Sequence, residues 1–115
     1  MSLNEHQTVG DVLTLAGEVI TFGRDVLSTG GRLNVLTLAS LCKMSATQGE
    51  VLCLVEQAMA VRSQLLSWMA KKEFASGLPL WRISRLSPYG AVLIWQMYHS
   101  INSLSRALER HADSL

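Results

Sequence analysis

The sequence predicts a mainly α-helical domain carrying one small β-hairpin. Three observations lead there. Apolar residues recur at helical spacing in blocks along most of the chain. The only two prolines, Pro79 and Pro88, lie close together and divide those blocks from a last one. Beside them, Gly77-Leu78-Pro79 is followed by a Trp- and Ile-bearing stretch that partly alternates, as a short strand does.

The first helix is expected from Thr8 or Asp11 to Leu27. Val12, Leu15, Ala16, Val19, Ile20 and Phe22 or Gly23 form its apolar side, and Asp11 suits the positive end of the helix dipole. Ser28-Thr29-Gly30-Gly31 stops it. A second helix is expected over Leu33–Lys43, with Leu33, Leu36, Leu38 and Ala39 on one side. The third starts at Thr47-Gln48-Gly49-Glu50, which reads as a capping box. Its hydroxyl and carboxylate would satisfy each other's backbone amides. From there to about Gln57 it is apolar nearly all round, which predicts heavy burial. A turn is placed at Ala58-Met59-Ala60, because an unbroken helix from Thr47 to Glu73 is long for a small domain. A fourth helix then covers Val61–Lys72. Residues 73–76 and Leu80–Leu86 are expected to pair as the hairpin. Ser87 as N-cap and Pro88 at the first helical position open a last helix to about His111.

Composition narrows the function classes. The chain has 115 residues, 49% of them hydrophobic and 17% charged, enough for a core and too apolar for wholesale disorder. The net charge of +1 excludes a basic tail or an acidic solvating segment. No apolar run approaches the roughly 20 residues of a membrane span, and the first residues show no signal peptide. A soluble cytoplasmic protein without a membrane partner is the expectation. Cys42 and Cys53 read as small buried thiols, and His6, His99 and His111 lack ligand spacing, so no metal and no cofactor are expected. No phosphate loop, nucleophile elbow or carboxylate pair near a histidine is present, and an enzyme is not expected.

Short motifs add a resemblance. Ala46-Thr47-Gln48-Gly49-Glu50-Val51 resembles the T-Q-x-E-L opening of a helix in MarR-type regulators. Val61-Arg62-Ser63-Gln64-Leu65-Leu66-Ser67-Trp68-Met69 is similar to that family's recognition helix, one residue short. Met69-Ala70-Lys71-Lys72-Glu73-Phe74 is similar to L-E-K-K-G-L before the wing. Arg82-Ile83-Ser84-Arg85-Leu86-Ser87-Pro88-Tyr89-Gly90 resembles the segment that closes it. The turn glycine of the family is missing at Glu56-Gln57-Ala58-Met59, and the wing is short.

The resemblance implies a winged helix-turn-helix core over residues 32–88. Dimerisation helices would flank it at 8–28 and 89–112, all within a single domain of residues 1–115. It implies a dimeric, sequence-specific regulator of transcription that binds double-stranded DNA. Arg62 and Gln64 would read base edges, and Ser63 and Ser67 would bond to bases or phosphates. Lys71, Lys72, Arg82 and Arg85 would neutralise phosphates. The effector, if one exists, is not legible. The same polar face is also what any solvated amphipathic helix presents, and Arg82 and Arg85 can equally guard an edge strand.

The surplus apolar residues of the terminal helices predict a homodimer through Val12, Leu15, Val19, Ile20, Trp95, Ile101, Leu104 and Leu108. The alternative is that the two helices pack on each other within one protomer. Two other functions stay open. One is a winged-helix protein used only for protein–protein contact. The other is an all-helical interaction module in which Thr47–Glu73 is one helix and the hairpin only a loop.

Overall fold

The computed structural model describes residues 7–27, 46–74 and 77–113. Among these described residues four helices form: α1 (Val9–Leu27), α2 (Ala46–Lys72), α3 (Leu80–Leu86) and α4 (Pro88–Asp113). The helix expected over Leu33–Lys43 lies outside the described residues, as does Cys42.

α1 begins with a reciprocal cap. The Thr8 amide donates to Asp11 Oδ2 at 2.9 Å, and the Asp11 amide donates to Thr8 Oγ1 at 3.2 Å. This is the capping-box geometry with Asp in the acidic place. At Thr47, by contrast, α2 has already begun at Ala46, and the Glu50 carboxylate meets the Arg110 guanidinium of α4.

The bend expected at Ala58–Ala60 is absent, and α2 is a single 27-residue helix. Two physical reasons account for this. Alanine and methionine are strong helix formers, so nothing at these positions breaks the chain. The inward positions Val51, Val55, Ala58, Arg62, Leu65 and Met69 also step by four and three residues without a slip. A bend would rotate one half of that stripe out of the core. Nor is α2 buried all round. Cys53 is exposed, which corrects its reading as a buried thiol, and Met59 and Leu66 are exposed too.

α2 ends at Glu73, whose φ of 55° is left-handed. The Phe74 amide donates to the Met69 carbonyl at 3.0 Å, and the Glu73 amide to the Ala70 carbonyl at 3.2 Å. These are the two bonds of a Schellman motif, which glycine normally completes.

No hairpin wing follows. Among the described residues there is no strand, and Leu80–Leu86 is helix α3. Its buried residues Leu80 and Ile83 are three apart, the spacing of one helix face. Pro79 stands at its entry with φ −64°, which suits the start of a helix. Among the described residues, the one β-type pairing joins Thr8 to Pro79 as an isolated bridge. Val9 donates to Leu78 O at 3.1 Å and Leu80 to Gln7 O at 3.0 Å, pinning the start of α1 to the start of α3. Ser87 closes α3 and opens α4. Its amide donates to Ile83 O at 2.9 Å, and its hydroxyl accepts the Gly90 amide at 3.2 Å, the N-cap expected of it.

The three long helices share one core. α2 runs opposite to the other two. Its first turn meets the end of α4 through Glu50 and Arg110, and its last turns meet the start of α4 where Trp68 lies against Gly90. Against α1, Arg62 reaches Leu13 while Val55 lies against Gly23. Val12, Val51, Val55, Leu65, Leu93, Met97, Ile101 and Leu104 form the fully buried centre. α3 lies against the start of α4 and buries Ile83 there. Among the described residues, no helix is long and apolar enough to cross a membrane.

Candidate functional site

Of the eight residues expected to contact DNA, four come together. Ser63, Gln64, Ser67 and Lys71 share the outer face of α2. With Ala60, Trp68 and Tyr89 they line a shallow notch of about 540 Å³. Arg62 is set apart from them. Its Nε donates to the Leu13 carbonyl of α1 at 3.2 Å, and its guanidinium lies over Gly17, where an added Cβ would meet Nη2 at 3.7 Å. A side chain committed to a helix–helix contact is not aimed at a base edge. Lys72 is exposed at the end of α2. Arg82 and Arg85 are exposed on α3 rather than on a strand, and the Arg85 guanidinium stacks 5.4 Å from the Trp81 ring centroid.

The residues expected at a dimer interface divide differently. Val12, Ile20, Ile101, Leu104 and Leu108 are buried within one protomer, where α1 and α4 pack on each other. Leu15 and Val19 are half-buried against the same core. Trp95 alone of the set stands clear at 65% exposure, stacked on His99 with ring centroids 5.3 Å apart. The intramolecular alternative thus describes the stripe, with Trp95 left over.

Two surfaces go beyond the residues expected from the sequence, which placed Trp95 of the first and Val19 and Leu108 of the second at a dimer interface. The first surrounds Trp95. Tyr89, Val92 and Trp95 follow one another up the outer side of α4 and are 57%, 49% and 65% exposed, and Trp81 on α3 is 48% exposed. The second is an apolar groove of about 690 Å³ between the C-terminal halves of α1 and α4. Phe22, 59% exposed, and Leu108 line it, with Glu18 and Glu109 among its polar residues. The apolar repeat expected for α1 takes in Phe22 or Gly23, and of the two Gly23 is buried while Phe22 is exposed.

Among the described residues, one titratable group departs clearly from its ordinary value. Burial, reinforced by the Asp11 carboxylate, raises the Tyr98 hydroxyl above 10.0. That hydroxyl donates to Gln7 Oε1 at 2.5 Å and ties α4 to the segment two residues before α1. Among the described residues, no cluster of three His, Cys, Asp or Glu side chains is placed to hold a metal ion.

Compared with known proteins, the chain matches no family model, no curated protein and no solved structure. The resemblance to MarR-type regulators therefore rests on its short motifs, and the wing those motifs implied is a helix.

Proposed function

We infer that this protein is an all-helical protein–protein interaction module that pairs with a second copy through the outer side of α4. The observation that carries this reading is the exposure of Trp95 on a helix whose inner side is fully packed. Tyr89, Val92 and Trp95 extend it into a stripe, and Trp81 adds a further exposed ring on α3. Tryptophan and tyrosine are enriched where proteins meet, because a rigid ring buries much area at little entropic cost. At 150–250 Å² per aromatic side chain, the Tyr89 and Trp95 rings expose on the order of 200 Å². That is about a quarter of the roughly 800 Å² each partner gives to a standard interface. A two-fold axis through the stripe sets each copy's rings against the other's. Sedimentation equilibrium at micromolar concentration tests the reading. The expected mass is about twice 12.6 kDa, returning to a single chain in Trp95→Asp. A wild-type protein that stays at 12.6 kDa throughout overturns self-association.

A second reading, contact with double-stranded DNA, draws on the gathering of Ser63, Gln64, Ser67 and Lys71 in one notch. Its test is duplex binding at two salt concentrations, since phosphate contacts impose a steep salt dependence. Unchanged affinity in a Gln64→Ala/Lys71→Ala variant removes it.

A further inference from the structure

The groove at the far end of α4 has its own repeat. Val19, Phe22 and Val26 of α1 form one wall, and Ser105, Leu108 and Ala112 of α4 form the other. Both sets step by three and four residues and span two helical turns, about 10 Å at 1.5 Å per residue. That spacing is the seam into which a further helix sets apolar side chains. The seam is open: Phe22 is 59% exposed, and Val19 and Val26 are only half-buried. Beside Gln48 and the buried His111, which also line it, the carboxylates Glu18 and Glu109 are its charged rim residues among those described. Glu18 adjoins Val19 and Glu109 adjoins Leu108, both exposed, and neither carries an ion pair among the described residues. No lysine or arginine among the described residues lines the groove. The nearest cation in sequence, Arg110, is engaged by Glu50.

We propose that this groove docks an amphipathic helix of a partner protein, whose apolar stripe enters between α1 and α4 and whose flanking lysines or arginines pair with Glu18 and Glu109. In two-helix seams the positions flanking the apolar stripe set partner choice, and acidic flanks select basic ones. The apolar walls supply the binding and the carboxylates the selectivity, because rim charges act chiefly on specificity and encounter rate. This site is separate from the self-association stripe, and its test does not depend on that reading.

The test uses the full chain and two labelled synthetic helical peptides. Both carry leucines at alternating three- and four-residue intervals. One has lysines flanking the leucines, and the other has glutamates. Fluorescence anisotropy is expected to show the lysine peptide binding about tenfold or more tighter, the size two lost rim pairs and their replacement by repulsion produce. The double variant Glu18→Lys/Glu109→Lys is expected to reverse that preference, which a merely unfolded protein cannot do. Phe22→Ser, at an exposed position, is expected to weaken both peptides while far-UV circular dichroism stays unchanged.

Equal affinity for the two peptides overturns the proposal in favour of a site for any apolar ligand. Binding that weakens as protein concentration rises overturns it in favour of a second copy in the groove. No binding of either peptide overturns it outright. That includes the case in which residues 28–45, which carry Arg32 and Lys43 and join groove-lining Val26 to Gln48, compete for the same place.

Discussion

Replacing Gly90 with alanine tests how α4 is seated on the rest of the fold. Gly90 is buried in the first turn of α4. A Cβ added there lies 2.3 Å from Trp68 Cη2, 2.8 Å from Trp68 Cζ2 and 2.8 Å from Ile83 Cγ2. Carbon atoms in contact sit roughly 3.5–4.0 Å apart, so the indole must withdraw by more than about 1 Å. It has little room to do so. Phe74 and Tyr89 hold it edge-on at 5.2 and 6.2 Å, and Ile83 is fully buried. Overpacking such a site costs about 1–3 kcal/mol, occasionally more. Opposing this, alanine gains about 1 kcal/mol over glycine in a helix interior, and less in a first turn. The clash wins, and the expected loss is about 1–3 kcal/mol, a fall of several degrees in Tm for a chain of this size. Urea denaturation followed by far-UV circular dichroism reads it as a lower midpoint at unchanged m. Gly49→Ala is the control. Nothing lies within 4 Å of its Cβ, so that variant should gain up to about 1 kcal/mol. Trp68→Phe, which deletes both clashing ring atoms, should cost less in the Gly90→Ala background than in the wild type. A Gly90→Ala protein as stable as the wild type would refute this packing account.

Glu73→Gly should stabilise by about 1 kcal/mol, because it removes a side chain from a left-handed position, and a rise in the urea midpoint checks it. Arg62→Ala should cost about 1 kcal/mol through the lost bond to Leu13 O, so a Tm equal to wild type would free Arg62 for other work. Leu104→Glu should unfold the protomer rather than merely split a dimer, because Leu104 is completely buried among α1, α2 and α4. Loss of far-UV ellipticity, not just of mass, is the expected readout. The folded state keeps the Tyr98 proton where the unfolded chain, with an ordinary value near 10.0, has lost it. That part of stability is full below about pH 10 and declines as pH climbs from there through the raised folded value. Tyr98→Phe should be less stable at neutral pH, having lost the bond to Gln7, yet lose less on going above pH 10 in thermal melts.

The terminal helices were legible because their signals agree with one another. In α4 the Ser87 cap, the proline after it and a wide apolar face all point to one element, which forms from Pro88 to Asp113. α2 was misread because two sound signals compete there. Leu52, Leu54, Met59 and Leu66 lie off the inward stripe and hide its period, so the segment looks apolar all round. Tracing Val51, Val55, Ala58, Arg62, Leu65 and Met69 alone recovers an unbroken repeat, but that requires accepting an arginine as an inward residue. Arg62 qualifies because its guanidinium lies over Gly17 while its Nε finds a backbone carbonyl. α3 failed for a different reason. Seven residues are too few to separate period 2 from period 3.6, and a partial alternation, the turn before it and the Trp81 and Ile83 propensities favoured a strand. Tertiary burial of Leu80 and Ile83 decided the matter, and propensity for a strand is weak against it.

The candidate surfaces were harder to read than the fold, and α4 shows why. An amphipathic pattern says that one face is buried, not which apolar residues belong to it. Val92 and Trp95 interleave with Leu93, Ile94 and Met97 in the sequence, and both sets satisfy a helical repeat. The inner set continues through Ile101, Leu104 and Leu108 for the length of the helix, whereas the outer one ends in Ser103, Arg106 and Arg110. The longer stripe buries more area and takes the core. The shorter one is then left outside with its aromatic rings, half-covered by the described residues. Arg106 and Arg110 mark where that outer face turns polar. On the flank of the same turns, Glu109 borders the groove beside Leu108. α4 therefore carries two chemically distinct surfaces in series, aromatic at its start and apolar with acidic flanks at its end. A substitution at Trp95 should leave peptide binding in the groove intact, and one at Phe22 should leave self-association intact.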